Sequence, residues 1–117
     1  MNTVGKIYER PWGTYRTIEQ NDNYQIKHIR VKPGKRLSLQ YHYKRAEHWT
    51  IIKGTGLVRL NDEEILLNVN DSIFIPKEAL HRVTNNTDKY VEFIEIQIGD
   101  YLGEDDIVRI EDDFGRK

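Results

Sequence analysis

The stretch LSLQYHYKRAEHW (residues 37–49) carries side chains of the types that bind metal ions. Gln40 and His42 are two residues apart in a segment with strand character, so both side chains face the same side of a strand. Glu47 follows after a short turn, and His81 lies much further along the chain. Two imidazoles and a carboxylate suit a borderline divalent metal, and an amide oxygen can be a weaker fourth ligand. Taken singly, each residue is also common as a solvated or hydrogen-bonded side chain, so the metal interpretation depends on their convergence.

Convergence of these side chains requires strands that line one cavity. Short alternating or apolar segments dominate the sequence, helical periodicity is nearly absent, and turn signals such as QNDN, KPGK and NNTDK separate the segments. This pattern predicts an all-β sandwich or barrel. The predicted strands are Gly13–Ile18, Tyr24–Val31, Leu37–His42, His48–Lys53, Gly56–Leu60, Glu64–Leu67, Ser72–Ile75, His81–Thr84 and Val91–Ile98.

Two further expectations concern the C-terminal tail and the open edges of the sheets. Residues 103–117 are acidic in GEDD and EDD and are compatible with a short helical turn. Open sheet edges invite aggregation unless the barrel closes or two subunits pair, so we expect a homodimer.

Composition limits the classes of protein that need to be considered. With 117 residues, the chain is predicted to form a single domain, residues 1–117. A net charge of −1 gives no electrostatic argument for nucleic acid or an anionic membrane as a partner. The lack of cysteine excludes disulfides and thiolate metal sites. No apolar run approaches the ~20 residues of a membrane span, and the first residues lack a signal-peptide core, so we expect a cytoplasmic protein.

The spacing of these residues resembles the two motifs of the cupin family. The first motif, G-x5-H-x-H-x(3,4)-E-x6-G, is matched in register, with glutamine in place of the first histidine, by Gly34, Gln40, His42, Glu47 and Gly54. The second motif, G-x5-P-x-G-x2-H-x3-N, is matched by Pro76, His81 and Asn85. Asn70 and Glu78 stand where that motif usually has glycine.

This resemblance implies a single cupin-type barrel, also called a double-stranded β-helix or jelly roll. It also implies one divalent metal ion, held by the residues at the ligand positions of the motifs: Gln40, His42, Glu47 and His81. Zinc is the first expectation, and manganese, cobalt, nickel or iron also accept such ligands.

The glutamine in this ligand set is similar to that of the phosphomannose isomerases of the cupin superfamily. From about residue 7 to residue 116, the chain also resembles the isomerase domain at the C-terminus of bifunctional phosphomannose isomerase/mannose-1-phosphate guanylyltransferases. The matching stretches are RPWG (10–13), KPGKRLSLQYHYKRAEHW (32–49), GTG (54–56), IPKEALHR (75–82) and GDYLGEDDIVRIEDDFGR (99–116). No glycine-rich nucleotide loop preceding an α/β domain is present, so we expect a stand-alone isomerase domain.

The family activity implied by this resemblance is the interconversion of mannose 6-phosphate and fructose 6-phosphate through a cis-enediolate. A divalent metal would polarise the sugar carbonyl and stabilise the developing oxyanion. A base must also move a proton between C1 and C2, and cations must bind the phosphate.

Candidate residues for these further roles can be named. Arg45 lies two residues before Glu47, where related isomerases carry a basic residue, and we predict that it stabilises the enediolate or the phosphate. Arg109 is the second candidate for this role. The candidates for the proton shuttle are Glu95, His48 and Lys53. Glu95 is the predicted shuttle if its face of the strand lines the cavity, and it has no role if that face is in solvent. His48 is expected to point away from Glu47 and to be structural. Three further residues are predicted to contact the substrate: Arg36, Lys44 and Trp49. Packing in the barrel is the alternative for Trp49.

Three other functions are compatible with the sequence. The first is a cupin acting on a nucleotide-linked sugar as an epimerase or keto-isomerase, although such cupins typically work without a metal, which the preserved Glu47 argues against. The second is an iron-dependent oxygenase, because two histidines and one carboxylate can hold iron(II). The third is a non-catalytic sugar-binding cupin that partners a separate guanylyltransferase.

Overall fold

Antiparallel β-strands joined by turns make up the protein. The computed structural model describes residues 2–116, and within that range no helix forms. The strands are β1 (Ile7–Arg10), β2 (Gly13–Gln20), β3 (Tyr24–Val31), β4 (Leu39–Tyr41), β5 (Arg45–Lys53), β6 (Gly56–Leu60), β7 (Glu63–Leu67), β8 (Ser72–Ile75), β9 (His81–Thr84), β10 (Val91–Gly99) and β11 (Val108–Glu111). In this range the chain contains no helix with the length and apolar character to cross a membrane.

Two sheets enclose the core. The six-stranded sheet has the order β1-β2-β3-β10-β5-β8, and the five-stranded sheet has the order β11-β4-β9-β6-β7. Buried side chains from both sheets form one apolar cluster, which includes Trp49 and Phe93 from the first sheet and Val58 and Val83 from the second. The predicted all-β architecture is confirmed.

Four strands, at 24–31, 56–60, 72–75 and 81–84, have the bounds predicted from the sequence. The sequence missed β1 and β11, which are edge strands whose residues are mostly exposed or half-buried, so no apolar alternation marks them. The expected helical turn in the tail is wrong for the described residues. Residues 108–111 instead pair with β4. Strand β5 also begins three residues before its predicted start. Its first inward-facing side chains, Arg45 and Glu47, are charged, so this part of the strand lacks the apolar alternation used for the prediction.

The inner face of the six-stranded sheet changes from polar to apolar along its three central strands. Gln25 in β3 lies opposite Gln97 in β10, which in turn lies opposite Glu47 in β5. Further along the same face, Phe93 lies opposite both Ile29 and Ile51. The polar ends of the three strands therefore coincide, and they leave a polar cavity at one end of the apolar core.

Two turns have a left-handed backbone conformation at residues that are not glycine. Asn70 and Glu78, at positions where the second motif usually has glycine, have φ angles of 78° and 67°. The N–H of Glu78 donates to the carbonyl of His42 at 2.7 Å, which ties this turn to the end of β4. A non-glycine residue in this conformation costs roughly 1–2 kcal/mol, and asparagine tolerates it better than glutamate does.

Candidate functional site

A cavity of about 210 Å³ opens at the polar end of the barrel. Both sheets line it, and its wall contains three of the four predicted metal ligands: Gln40, His42 and Glu47. It also contains the predicted catalytic residues Arg45, Glu95 and Arg109. Residues that are far apart in the sequence therefore meet around one space.

Three of the predicted ligands form a compact group, and two of them, His42 and Glu47, line this cavity. His42 directly follows β4, Glu47 lies in β5, and His81 begins β9. Each offers one ligand atom, and these atoms all lie within 4.8 Å of one another. The three residues are at most 3% exposed, so water does not satisfy their polar atoms freely. This group could hold a metal ion.

Backbone carbonyls orient both imidazoles towards Glu47. His42 Nδ1 lies 2.7 Å from the carbonyl oxygen of Asp106, and His81 Nδ1 lies 3.0 Å from that of Ala79. Because a carbonyl only accepts hydrogen bonds, each Nδ1 carries a proton, and in the neutral ring each Nε2 presents a lone pair. Arg45 Nη2 lies 3.3 Å from Nε2 of His42, whereas Nε2 of His81 has no partner among the described residues. Hydrogen bonding of Nδ1 to a backbone carbonyl is the usual support for a metal-binding histidine.

The atoms inside the group fit a cation between them. His42 Nε2 lies 3.2 Å from Glu47 Oε2, and His81 Nε2 lies 3.9 Å from Glu47 Oε1. The guanidinium of Arg45 bridges the first pair, with Nη2 3.3 Å from His42 Nε2 and Nε donating to Glu47 Oε2 at 3.0 Å, so a cation already faces both acceptor atoms. His81 Nε2 is buried and has no hydrogen-bond partner among the described residues. The donor set and this orphaned nitrogen both fit a divalent metal.

The protonation states of the ligands agree with this arrangement. Burial lowers the pKa of His81, which favours the neutral ring that binds metals. Burial opposes ionisation of Glu47, but the neighbouring His42 and the charge of Arg45 outweigh burial and hold its pKa well below the usual range. The group therefore presents a carboxylate and a neutral imidazole at neutral pH.

Gln40 lies beside this group. It is the register partner of His81 in β9 and of Arg109 in β11, and its side chain lines the cavity. Its amide oxygen is the fourth donor that the sequence predicts.

Two donors hold the carboxylate of Glu47 in place. Arg45 Nε donates to Oε2 at 3.0 Å, and Trp49 Nε1 donates to Oε1 at 2.9 Å. Arg45 is only 6% exposed, yet its Nη1 has no hydrogen-bond partner within residues 2–116. This leaves one charged donor unused in the cavity wall.

Glu95 points into the barrel, not into solvent. Its neighbours on the inner face of β10 are Phe93 and Gln97, while Ile94 and Ile96 face outwards. Gln97 Nε2 donates to Glu95 Oε2 at 2.6 Å. Burial and the nearby Glu47 carboxylate raise the pKa of Glu95 to about 8. A carboxyl group in this position can exchange a proton at near-neutral pH.

The structure places three predicted substrate contacts away from the cavity. Arg36 forms two 2.8 Å hydrogen bonds to Asp113, and the ammonium of Lys44 lies 4.9 Å from the ring centre of Tyr101. Trp49 is 1% exposed and belongs to the apolar core. Its predicted contact with a sugar is corrected in favour of packing, because no face of the indole is accessible.

Other cavity residues were missed from the sequence. Arg10, Lys27 and Arg116 line the cavity, and the backbone of Asp106 orients His42. The alternation of YQIKHIRV could have found Lys27, because it shares a face with Ile29 and Val31. Arg10 and Arg116 lie in a turn-flanked edge strand and in the tail, where no periodicity indicates direction.

Comparison with known proteins identifies the fold. An uncharacterised conserved protein with a double-stranded β-helix domain from Klebsiella pneumoniae superposes with a TM-score of 0.74 at 13% identity, covering 95% of this chain and 90% of the other. The predicted cupin-type barrel is confirmed.

Sequence relatives are closer but much longer. The chain is 50% identical over 107 residues to the alginate biosynthesis protein AlgA of Pseudomonas aeruginosa, covering 92% of this chain and 22% of the relative. It is 49% identical over 107 residues to the mannose-1-phosphate guanylyltransferase ManC of Salmonella typhimurium, with the same coverage of both proteins. The chain thus spans about a fifth of the length of these curated relatives.

The matched family gives the chain its place among the cupins. Residues 2–112 match the family described as "Mannose-6-phosphate isomerase C-terminal", and this match covers the barrel, the ligand group and β11. The resemblance predicted from the ligand spacing is confirmed, and the chain belongs to the mannose-6-phosphate isomerase C-terminal family.

Proposed function

We propose that this chain is a metal-dependent isomerase that interconverts mannose 6-phosphate and fructose 6-phosphate. The observation that carries the proposal is the buried group of His42, Glu47 and His81, whose contacts fit a cation, at the base of a cavity rich in arginine and lysine. The chain's membership of the mannose-6-phosphate isomerase C-terminal family supports a sugar phosphate as the substrate. A homodimer and a cytoplasmic location stay predictions.

His42, Glu47 and His81 would hold the metal ion, with Gln40 as a further donor. When bound, a divalent metal would polarise the sugar carbonyl and stabilise negative charge on the oxygens of C1 and C2. The ligand set accepts several metals, so zinc stays a prediction. The orientation of both imidazoles by backbone carbonyls would preserve this donor geometry in the free protein.

Arg45 would stabilise charge that develops on the sugar. Its Nε is engaged by Glu47, which fixes the plane of the guanidinium, and its Nη1 is the unused donor in the wall. A buried donor that is already oriented stabilises an oxyanion without reorganisation in the transition state. We therefore assign Arg45 to the enediolate and not to the phosphate.

Glu95 would carry the proton between C1 and C2. Gln97 donates to one carboxylate oxygen and fixes the orientation of the group in the cavity wall, where the carboxyl group would meet the substrate. In the aldose-to-ketose direction, the carboxylate takes the proton from C2, and the resulting acid returns it to C1. The buried position of Glu95 limits exchange of this proton with bulk water.

The test is turnover by the purified, metal-analysed chain. Mannose 6-phosphate is incubated with the chain, and fructose 6-phosphate is followed with and without a chelator. We expect turnover that the chelator abolishes and that added metal restores. Glu95→Gln is expected to lose turnover with its metal content unchanged, whereas the exposed Glu63→Gln serves as a matched control with full activity. A metal-loaded chain without turnover would refute the proposal.

A further inference from the structure

The cavity contains more positive charge than its carboxylates neutralise. Five cationic side chains line it: Arg10, Lys27, Arg45, Arg109 and Arg116. Three of these have a carboxylate partner within 3.0 Å, in the pairs Lys27–Glu104, Arg45–Glu47 and Arg116–Asp112. Within residues 2–116, no carboxylate forms an ion pair with the other two, Arg10 and Arg109.

Arg109 is the more buried of these two guanidinium groups. It lies in β11 opposite Gln40, and its Nε is buried without a hydrogen-bond partner among the described residues. An uncompensated cation in such a position favours an anionic ligand.

Arg10 is held at the rim by tyrosine side chains. Its guanidinium lies 5.2 Å from the ring centre of Tyr15 and 5.9 Å from that of Tyr8. Nη1 donates to the carbonyl of Glu9 at 2.8 Å, and Nη2 donates to the hydroxyl of Tyr15 at 3.3 Å. These contacts limit the rotamers of a long side chain without neutralising its charge, so less entropy is lost when it binds a ligand.

Burial gives the cavity a direction. His42 and Glu47, which line the cavity beside His81, are almost fully buried, whereas Arg10 is exposed and Arg109 and Arg116 are half-buried. A ligand with a reactive carbonyl at one end and an anion at the other would place the anion at the rim.

We propose that Arg10 and Arg109 form a subsite for a phosphomonoester dianion at the rim of the cavity. The inference deepens the proposed function and rests on it for the sugar, but not for the anion. A phosphomonoester carries a charge of roughly −1.5 to −2 at neutral pH, which two unpaired guanidinium groups match. Arginine also binds phosphate oxygens in a bidentate manner, which would fix the sugar at one end. Arg36 and Lys44, which the sequence suggested for this role, lie outside the cavity.

The test measures anion binding by calorimetry, without turnover. Inorganic phosphate and mannose 6-phosphate are titrated into the full chain and into Arg10→Gln, Arg109→Gln and Arg59→Gln. Arg59 is a matched control, because it is half-buried in β6, lies outside the cavity and donates to a backbone carbonyl. We expect each of the first two variants to bind both ligands at least about tenfold more weakly, because a charge-assisted hydrogen bond is lost. Arg59→Gln is expected to bind as the wild type does.

Separate outcomes distinguish the subsite from the isomerase activity. Wild-type phosphate affinity in both Arg10→Gln and Arg109→Gln, or equal weakening in Arg59→Gln, would overturn the subsite. Thermal unfolding of each variant shows that a loss of binding is not a loss of fold. If the chain binds phosphate through Arg109 but does not isomerise, the subsite stands and the proposed function fails. If it isomerises and Arg109→Gln leaves KM unchanged, the function stands and the subsite fails.

Discussion

Asp106 offers a sharp test of how the tail supports the candidate metal centre. Its backbone carbonyl accepts a hydrogen bond from His42 Nδ1 at 2.7 Å. Its side-chain oxygens accept from the backbone N–H groups of Tyr43 and Lys44 at 3.0 and 2.9 Å. One residue therefore fixes both the ring of His42 and the turn that follows it. Asp106→Ala keeps the carbonyl but removes the anchor that positions it.

The size of the effect follows from these contacts. A buried hydrogen bond to a charged acceptor contributes about 1.5–3 kcal/mol, but Tyr43 and Lys44 are exposed and water can replace the lost acceptor. We therefore expect Asp106→Ala to lower the free energy of unfolding by about 1–2 kcal/mol. Loss of support for a ligating histidine typically weakens metal binding about 10- to 100-fold, and we expect a loss in this range.

The assay is competition of the apo chain with a chelator for zinc or cobalt, together with denaturant unfolding. Asp105→Ala is the matched control, because the neighbouring carboxylate is exposed and, among the described residues, the hydroxyl of Tyr101 is its only side-chain hydrogen-bond partner. Asp106→Asn retains one good acceptor and is expected to fall between wild type and Asp106→Ala. Wild-type metal affinity in Asp106→Ala, or an equal loss in Asp105→Ala, would refute the assigned support of His42.

Three further predictions test the ligand group, the tail and a strained turn. His81→Ala should lose bound metal and turnover, whereas substitution of the exposed His48 by alanine should keep both. Metal analysis of the purified variants is the measurement, and an unchanged metal content in His81→Ala would remove His81 from the ligand set. Hydrogen bonds from the Arg116 side chain lower the pKa of Asp112 from 3.8 to about 2, so its ionised form stabilises the fold above about pH 4 and this contribution is lost as pH falls towards 2. We expect Asp112→Asn to be less stable than the wild type by about 2 kcal/mol at neutral pH and by about half as much near pH 3. Denaturant unfolding at both pH values measures this, and a difference that does not change with pH would contradict the prediction. Glu78→Gly should raise the free energy of unfolding by about 0.5–1 kcal/mol, because the left-handed backbone is strained for glutamate. Asn70→Gly should change the free energy of unfolding less, because asparagine tolerates this conformation better. A lower free energy of unfolding in Glu78→Gly would show that the turn is not strained.

Much of the barrel was predictable because its strands alternate clearly. In β3, every second residue is buried, and the bounds 24–31 follow from the sequence alone. The edge strands β1 and β11 were not predictable, because a strand that pairs on one side and buries little has no apolar alternation. Pairing of β11 with β4 is a long-range contact, and local residue preferences contain no information about it.

The same division applies to the candidate site. Gln40, His42, Glu47 and His81 were identifiable from the sequence, because strand spacing and motif positions constrain which residue types stand there. Of the two arginines of the proposed anion subsite, Arg109 was a candidate from the sequence and Arg10 was not, since a surface arginine and a cavity arginine have the same local sequence character. Arg36 and Arg109 show this, because tertiary pairing with Asp113 removes the first from the cavity, while β11 carries the second into it.

The sequence by itself determined the residue types that can bind a metal ion and the strands that carry most of them. Only the tertiary structure decided which charges are neutralised, which are left free, and which backbone carbonyls orient His42 and His81. The physical reason is that ligand identity and strand periodicity are local properties. Burial, ion pairing and hydrogen-bond partnership depend on groups that are distant in the chain, such as Asp106 for His42, and folding alone brings these together.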